Sequence, residues 1–233
     1  MDIKKIVKDC NLSHIAIIMD GNRRWAKQRF LPTLMGHKKG VEALKTTVRA
    51  CLDFGVKYLT VYAFSTENWN RKKEEVDYLM NLIKHTLEVE LDELYENNVK
   101  MTYIGKRDEL SDELQQVLLN SENKTNDNNG VYLNIALNYG ARDEIINAVN
   151  NLLKTDKKEI TQEDFSKMLY TSSFPDPDLL IRTSGEYRIS NFLLWQIAYS
   201  ELYITDVFWP DFNKDELKKA IEEFSKRKRR WGK

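Results

Sequence analysis

A short apolar run at residues 15–19, IAIIM, sets narrow limits on the fold of this chain. A continuous run of this length, rich in β-branched side chains, is typical of a strand buried on both faces of a parallel sheet. The run ends abruptly in the polar sequence DGNRR at residues 20–24. Because ligands bind at the carboxyl edge of open α/β sheets, the sequence predicts a binding site immediately after this strand.

The side chains that follow this strand suit a phosphorylated ligand. Asp20 can hold a divalent cation through its carboxylate oxygens, and Gly21 allows the backbone to approach a ligand closely. Arg23 and Arg24 carry planar guanidinium groups that match phosphate oxygens. The pattern predicts Mg²⁺-assisted chemistry on a phosphorylated substrate. For residues 20–22 taken alone, a strand followed by an ordinary polar turn is an equal alternative.

Strand and helix patterns alternate along the rest of the chain. A loop is predicted at 28–36, a helix at 36–54 and a strand at 56–64, and this order predicts a right-handed parallel crossover. A polar loop is predicted at 121–130. Further strands are predicted at 99–104, 131–137, 179–181 and within 201–208, and further helices at 72–97, 109–119, 143–153, after Thr161 and from Asn213 onward.

This alternation predicts an α/β fold in which helices surround a mostly parallel central sheet of about six strands. We expect a single domain over residues 1–233, with a lead-in at 1–13 and a basic tail, KRKRRWGK, at 226–233. Polar clusters recur after predicted strands at 20–24, 65–71, 138–142 and 182–190. If the strands are parallel, these clusters converge on one rim of the sheet.

Composition excludes several other functions. The chain has 36 basic and 36 acidic residues, so its net charge of zero gives no support for a nucleic-acid partner. No apolar stretch approaches the roughly 20 residues needed to span a bilayer, and residues 1–10 lack the apolar segment of a signal peptide. Cys10 and Cys51 have no metal-ligand spacing, so we expect free thiols and a cytoplasmic protein.

Familiar nucleotide and hydrolase motifs are also missing. The sequence contains no GxxxxGK[ST], no GxGxxG after a strand and no GxSxG, which argues against P-loop, dinucleotide-binding and α/β-hydrolase sites. It also contains no DDxxD, the motif with which trans-type prenyl-chain enzymes hold magnesium. Any metal here must be held by fewer carboxylates.

Several longer motifs, in a fixed order, resemble those of the cis-prenyltransferases, and most closely the bacterial enzymes that make undecaprenyl diphosphate. The resemblance covers residues 14–232. It rests on MDGNRRWA at 19–26, GHKKG at 36–40, YAFSTENW at 62–69, LNYGARDEI at 137–145, DPDLLIRTSGE at 176–186, RISNFLLWQ at 188–196, YSEL at 199–202 and FWPDF at 208–212.

The resemblance implies an enzyme that condenses isopentenyl diphosphate with an allylic diphosphate, with cis double bonds in the product. It also implies Mg²⁺ as the cofactor, a homodimer, and a hydrophobic tunnel that holds the growing chain. The helices at 36–54 and 72–97 would line this tunnel, although an apolar helix stripe is by default ordinary core. An apolar product suggests transient contact with a membrane surface.

The same resemblance assigns roles to individual residues. Asp20 would hold magnesium, and His37 would contact the allylic diphosphate, although a lone histidine at a helix start is more often a cap. Asn68 would help to remove the proton from the isopentenyl unit; because an amide is a poor base, we interpret it as orienting a water or the diphosphate. The remaining residues implied to contact substrate are Gly21, Asn22, Arg23, Arg24, Trp25, Ser65, Thr66, Glu67, Trp69 and Arg71.

A second group would bind isopentenyl diphosphate. It consists of Arg182, Arg188, Ile189 and Ser190, while Glu201 would be a second magnesium ligand. The resemblance also implies that residues 230–232 (RWG) reach the neighbouring subunit's site. The basic tail has a second interpretation, as helix-terminal cations or as a patch that binds polyanions or membrane surfaces.

Three departures from the family pattern leave the product open. Thr33 replaces a customary arginine, Lys106 stands where Gly-Asp is usual, and Ala141 replaces the second glycine of a pair. Loss of one charged phosphate contact costs about 1.5–3 kcal/mol, and we expect Arg23 to compensate for Thr33. The alternatives are an enzyme with another starter or a shorter product, and a non-catalytic partner subunit of the same family.

Overall fold

The computed structural model describes residues 2–228, and its centre is one six-stranded sheet. The strands are β1 (His14–Ile18), β2 (Tyr58–Ser65), β3 (Val99–Ile104), β4 (Val131–Tyr139), β5 (Leu179–Arg182) and β6 (Glu201–Ile204). Their order across the sheet is β3-β4-β2-β1-β5-β6, and every neighbouring pair is parallel. The predicted α/β fold is therefore confirmed, and all five residues of β1 are buried.

Eight α-helices surround this sheet within residues 2–228. They are α1 (Ile3–Asp9), α2 (Asn22–Gln28), α3 (Thr33–Phe54), α4 (Lys73–Glu96), α5 (Asp112–Lys124), α6 (Ala141–Leu152), α7 (Gln162–Ser166) and α8 (Lys214–Ser225). Two short 3₁₀ helices cover Thr66–Asn70 and Trp209–Asp211. None of the helices in this part of the chain combines the length and apolar composition that crossing a membrane requires.

The helix boundaries correct several predictions. The predicted loop at 28–36 is mostly helical, because α3 already begins at Thr33, directly after Pro32. The seven-residue helix α2 was missed, since it is too short to show a helical period. The predicted lead-in contains α1, which Asp2 caps by accepting a hydrogen bond from the Lys4 amide.

Two further boundaries differ along the second half of the chain. Helix α5 begins at Asp112 and continues to Lys124, into the predicted loop at 121–130. Within it the Ser121 hydroxyl donates to the Val117 carbonyl, so this polar side chain is satisfied inside the helix. The last strand spans only Glu201–Ile204 of the predicted region.

The larger hydrophobic core lies on the face of the sheet covered by α3, α4, α5 and α8. It includes Ile15 and Ile17 of β1 and Leu59 and Val61 of β2, all fully buried. Strand side chains alternate between faces, so these four pack against the helices. An apolar cavity also lies on this face, lined by α3, α4 and the sheet, with Val48, Ile83 and Leu87 among its walls. This cavity lies between the two helices for which the tunnel is predicted.

His14 is a buried, neutral histidine at the start of β1. Only 2 % of it is exposed. Its Nδ1 lies 2.6 Å from the Pro175 carbonyl, and its Nε2 lies 2.8 Å from the Thr60 hydroxyl. The carbonyl can only accept, so Nδ1 carries the proton and Nε2 accepts from Thr60. Burial lowers the pKa of His14 from 6.5 to about 4.

This pKa predicts a loss of stability in mild acid. The unfolded chain binds a proton at His14 near pH 6.5 while the folded chain does not until about pH 4, so stability falls as the pH drops through this window. Between pH 7 and pH 5 the loss from His14 alone is about 2 kcal/mol. Urea unfolding at both pH values should therefore show a smaller pH-dependent loss in His14→Gln than in the wild type. Exposed His85 provides the matched control, because His85→Gln should retain the full loss; equal losses in wild type and His14→Gln would contradict the prediction.

Candidate active site

A wide cleft opens at the carboxyl edge of the sheet, where the predicted polar clusters meet. It is formed by the segments that follow β1, β2 and β5, together with the first residues of α6. The predicted convergence is thus confirmed. The predicted site residues that line the cleft are Asp20, Gly21, Asn22, Arg23, Arg24, His37, Ser65, Glu67, Asn68, Arg71, Arg182, Arg188 and Ser190.

Asp20 is held rigidly at the floor of the cleft. Its backbone carbonyl accepts from the Thr183 hydroxyl at 2.7 Å, the Ser184 hydroxyl at 2.8 Å and the Trp209 amide at 3.0 Å. Its Oδ2 lies 2.9 Å from Arg182 Nη2 and 3.2 Å from Arg24 Nη2. The carboxylate therefore has a fixed position between two guanidinium groups.

Gly21 is required where the chain turns from β1 into α2. Its φ of +109° is a conformation that L side chains rarely adopt, and a Cβ added there would lie 2.1 Å from Ser184 Oγ. Glycine is the residue that tolerates both conditions. The close approach keeps the Asp20 carbonyl within reach of the Ser184 hydroxyl.

Arg182 ends β5 and organises the loop behind it. Its side chain is only 4 % exposed. Nη2 binds Asp20, while Nη1 donates to the Ser190 hydroxyl at 2.7 Å and to the Arg188 carbonyl. Arg182 thus fixes the loop that carries two other predicted substrate-binding residues.

The segment after β2 forms a capping box. The Ser65 hydroxyl oxygen accepts a hydrogen bond from the backbone N–H of Asn68. In return, the side-chain oxygen of Asn68 accepts one from the backbone N–H of Ser65 at 3.3 Å. This hydrogen bond turns the Asn68 side-chain oxygen towards the Ser65 amide, and the NH₂ group on the same side chain can donate to a ligand. Burial raises the pKa of Glu67, but hydrogen bonds from Asn191, its own backbone amide, Ser65 and Thr66 outweigh that effect and lower it, so Glu67 is ionised.

Glu75, in the first turn of α4, contacts two arginines and a histidine beside the cleft. Its Oε1 lies 3.0 Å from Arg71 Nη1, 3.3 Å from His37 Nε2 and 3.9 Å from Arg23 Nε. Burial lowers the pKa of His37, whereas the hydrogen bond and charge of Glu75 act in the opposite direction. The carboxylate of Glu75 thus neutralises part of the cationic wall.

Positive charge dominates the lining of the cleft. Its seven cations are Arg23, Arg24, Lys27, Arg71, Arg142, Arg182 and Arg188, and its three carboxylates are Asp20, Glu67 and Glu186. Two buried polar atoms here, Asn22 Oδ1 and Arg182 Nε, have no hydrogen-bond partner. Buried polar atoms normally have one. The arrangement suits ligands that carry several phosphate charges.

The apolar cavity on the helical face adjoins this cleft and shares part of its wall. Met19, Asn22 and His37 line both spaces, and so do Ala63 and Leu79. A ligand with an anionic head and an apolar tail can therefore place the head among the arginines and the tail between α3 and α4.

Five predicted site residues lie outside the cleft lining. Trp25 donates through Nε1 to Asp211 at 2.7 Å, and Trp69 donates to Asn138 Oδ1 at 2.7 Å. Thr66 belongs to the 3₁₀ turn, and Ile189 packs against the smaller hydrophobic core. The fifth is Glu201.

Glu201 lies at the opposite end of the sheet from Asp20. It is the first residue of β6, aligned with Leu179, and it pairs with Arg227 at 2.9 Å. The offset between Glu201 and Asp20 is about five residues along the strands, or roughly 16 Å at 3.3 Å per residue. Asp20 and Glu201 of one chain are therefore too far apart to bind the same ion. The metal role of Glu201 stays a prediction. Residues 230–232, also implied in the site, lie outside the described residues.

The charged and other polar residues of the lining that were not predicted as site residues include Lys27, Arg142, Glu186, Asn191 and Tyr62. Asn191 is the most connected of them. Its Nδ2 donates to Glu67 at 2.9 Å, and its Oδ1 accepts from the Arg142 amide at 2.9 Å. These contacts join segments more than 40 residues apart in sequence, so local sequence patterns gave no signal for Asn191. Arg142, in contrast, lies within the polar cluster predicted at 138–142.

The residues present fit a magnesium ion bound with substrate phosphates. The described part of the chain has no cluster of three or more His, Cys, Asp or Glu side chains that could hold a metal alone. Mg²⁺ commonly uses one or two carboxylates, substrate phosphates and water. Asp20 supplies such a carboxylate, since its bonds to arginine use Oδ2 and leave Oδ1 for an ion.

Comparisons with known proteins agree with this geometry. A family described as "Putative undecaprenyl diphosphate synthase" matches residues 18–232. A protein named isoprenyl transferase from Fusobacterium nucleatum is 54% identical over 94% of this chain and 95% of its own length. One of the same name from Clostridium acetobutylicum is 54% identical over 94% of this chain and 89% of its own.

Two solved structures share the fold. Lavandulyl diphosphate synthase from Lavandula x intermedia, crystallised with dimethylallyl diphosphate, superposes with a TM-score of 0.93 at 34% identity, over 97% of this chain and 100% of that one. A probable undecaprenyl diphosphate synthase from Campylobacter jejuni gives 0.82 at 35% identity, over 95% and 99%. The likeness therefore extends over nearly the whole length of the chain.

Proposed function

Because this chain belongs to the prenyltransferase family of the undecaprenyl diphosphate synthases, we propose that it joins isopentenyl diphosphate to an allylic diphosphate, with farnesyl diphosphate as the starter. Its activity as a cis-prenyltransferase follows from the family. The undecaprenyl product, a lipid-carrier precursor for cell-wall synthesis, belongs to the proposal. The observation that carries it is a cation-rich cleft that adjoins an apolar cavity.

In the proposed reaction the allylic C–O bond breaks and diphosphate leaves with the bonding electrons. A new C–C bond then forms to the isopentenyl double bond, and the isopentenyl unit loses one proton. Asp20 would hold Mg²⁺, which supplies neutralising charge for the departing diphosphate. Arg24 and His37 would bind the same diphosphate, and a fixed set of donors stabilises developing charge without reorganisation.

Isopentenyl diphosphate, the second substrate, would lie on the side of Asp20 away from the allylic diphosphate. Arg188 and the Ser190 hydroxyl would bind isopentenyl diphosphate, and Arg182 would hold both in place while it also holds Asp20. The NH₂ group of Asn68 would donate to a phosphate oxygen and orient the diphosphate that takes the proton. This assignment follows from its side-chain oxygen, which is turned towards the Ser65 amide.

One assay tests the proposal. Purified protein is incubated with magnesium, labelled isopentenyl diphosphate and, in parallel, dimethylallyl, geranyl or farnesyl diphosphate, and the extracted products are sized. Long polyprenyl products from farnesyl diphosphate, abolished by EDTA, would support it. Short products alone would favour the second candidate, a shorter-chain enzyme, which the likeness to lavandulyl diphosphate synthase also supports. No product from any starter would favour a non-catalytic partner subunit.

A homodimer in the cytoplasm is part of the proposal. Helix α6 and the segment after it leave Ile146, Leu153 and Ile160 exposed, as the face of a further subunit would require. A second subunit could also supply Glu201 or the basic tail to a neighbouring cleft. Removing residues 226–233 separates the two interpretations of the tail: lost catalysis with an intact dimer favours a site role, and lost binding to polyanions or vesicles favours a surface patch.

Arg23 is expected to take over the phosphate contact that Thr33 cannot make, since both line the cleft. Arg23→Gly should raise the KM for the allylic substrate about tenfold and leave kcat nearly unchanged, as loss of one charged hydrogen bond predicts. The measurement is steady-state kinetics with the allylic diphosphate varied. In a Thr33→Arg background the effect of Arg23→Gly should shrink, because the two guanidinium groups would share one role; an unchanged KM in Arg23→Gly would refute the compensation.

A further inference from the structure

The turn between α2 and α3, together with the first turn of α3, exposes four apolar side chains. This tip cluster consists of Phe30, Leu31, Leu34 and Met35. Phe30 is 97 % exposed, and the other three are between 37 and 46 % exposed. Single exposed apolar residues are ordinary, but four within six positions form a patch that needs an explanation.

The backbone holds Phe30 in an unfavourable conformation at this tip. Its φ is +55°. The Phe30 amide donates to the Lys27 carbonyl and the Leu31 amide to the Ala26 carbonyl, which is the Schellman pattern that ends a helix. Glycine usually occupies the left-handed position of this pattern, because a Cβ there is strained. The fold thus tolerates strain in order to keep an aromatic ring in solvent.

The segment around the tip carries only positive charge. Residues 21–41 contain six Lys and Arg side chains and no Asp or Glu, in a chain whose total charge is zero. Arg23 and Arg24 face the cleft, and Arg29 pairs with Asp211. Lys27, Lys38 and Lys39 have no ion pair among residues 2–228. An apolar tip among unpaired lysines is the composition of a segment that binds anionic membrane surfaces.

The tip also lies beside the opening of the cleft. Leu31 and Lys27 both line the cleft, which adjoins the apolar cavity. We propose that the tip cluster inserts into the interface of an anionic lipid bilayer and turns the opening of the cleft towards the lipid headgroups. Apolar side chains beside unpaired lysines suit an anionic lipid surface, which offers an apolar interior beneath negative headgroups.

The purpose of this contact rests on the proposed function, because a polyprenyl diphosphate needs a bilayer to receive its apolar chain. The binding itself needs no substrate. Membrane binding and prenyl synthesis can therefore be measured separately. A protein that binds vesicles and makes no prenyl product would refute the proposed function and leave this inference intact.

Phe30→Gly is the most informative variant, since it removes the aromatic ring and also the strain of a side chain at positive φ. We expect its Tm to rise by about 2–4 °C. The double variant Phe30→Gly/Met35→Ser should bind vesicles of phosphatidylcholine and phosphatidylglycerol at least tenfold more weakly than the wild type does, as measured by co-sedimentation. Chain elongation in detergent should be unchanged, because neither residue lines the cleft.

The matched control removes two exposed aliphatic side chains elsewhere. Val89 lies on α4 and Leu119 on α5, and both are exposed. Val89→Ser/Leu119→Ser should bind vesicles as the wild type does. The wild type should bind more weakly to vesicles of phosphatidylcholine alone than to vesicles that also contain phosphatidylglycerol. High salt should weaken its binding to the anionic vesicles. Three results would overturn the proposal: no vesicle binding by the wild type, equal loss in the control pair, or a parallel loss of elongation in detergent.

Discussion

Asp20→Asn should lower chain elongation by a factor of about 10³ or more, because it removes the carboxylate proposed to hold magnesium, which lies between Arg182 and Arg24 at the end of β1. Asparagine has the same shape and keeps one accepting oxygen for Arg182 and Arg24. The loss of charge-assisted hydrogen bonds should cost about 1–2 kcal/mol of folding free energy, which a chain of this size survives. The measurement is incorporation of labelled isopentenyl diphosphate over a range of magnesium concentrations.

Asp211→Asn is the control for this variant. Asp211 also accepts hydrogen bonds from two side chains, Trp25 at 2.7 Å and Arg29 at 2.9 Å, but it lies outside the cleft lining. Its elongation rate should remain close to that of the wild type. If Asp20→Asn kept more than about a tenth of the activity, Asp20 would not have the metal-binding role proposed here.

Arg182→Met should damage activity and stability together. The change removes the donor to Asp20, Ser190 and the Arg188 carbonyl, and it leaves the loop after β5 without its central contact. We expect kcat/KM to fall at least about 10³-fold and the free energy of unfolding to fall by about 3 kcal/mol, because a largely buried ion pair loses one partner. Kinetics and urea unfolding measure the two effects.

Arg188→Met separates this positioning role from simple substrate binding. Arg188 is exposed, and within residues 2–228 its side chain forms an ion pair with Glu186 alone. Its loss should raise the KM for isopentenyl diphosphate without changing the free energy of unfolding. If Arg182→Met affected KM alone, as expected of Arg188→Met, Arg182 would be a ligand contact and not the residue that fixes the loop.

The sequence was most informative where structure is set by adjacent residues. The run 15–19 predicted β1 because a buried strand has a local composition, and the polar residues after it predicted the cleft edge. Helix α2 escaped notice because seven residues give no clear period. Once several strand ends were known, parallel geometry alone brought their polar clusters together.

Contacts between distant segments could not be predicted in this way. Asn191 joins the segment after β2 to the start of α6, and no neighbouring residue indicates it. The orientation of the Asn68 side-chain oxygen depends on the precise turn at Ser65. Glu201 could be placed at its strand, but only the register of β6 shows which end of the sheet it occupies.

The central position of β1 has a consequence for synthesis on the ribosome. β1 emerges early, yet one of its neighbours, β5, begins at Leu179, and the Asp20 carbonyl is bound by Trp209. During translation, one edge of β1 therefore waits unpaired while roughly 160 residues are added, a period of about 10–30 s at bacterial rates. An exposed apolar strand edge is prone to aggregation. We expect nascent chains stalled before Leu179 to depend on chaperones, and chains released after Trp209 to be largely independent of them.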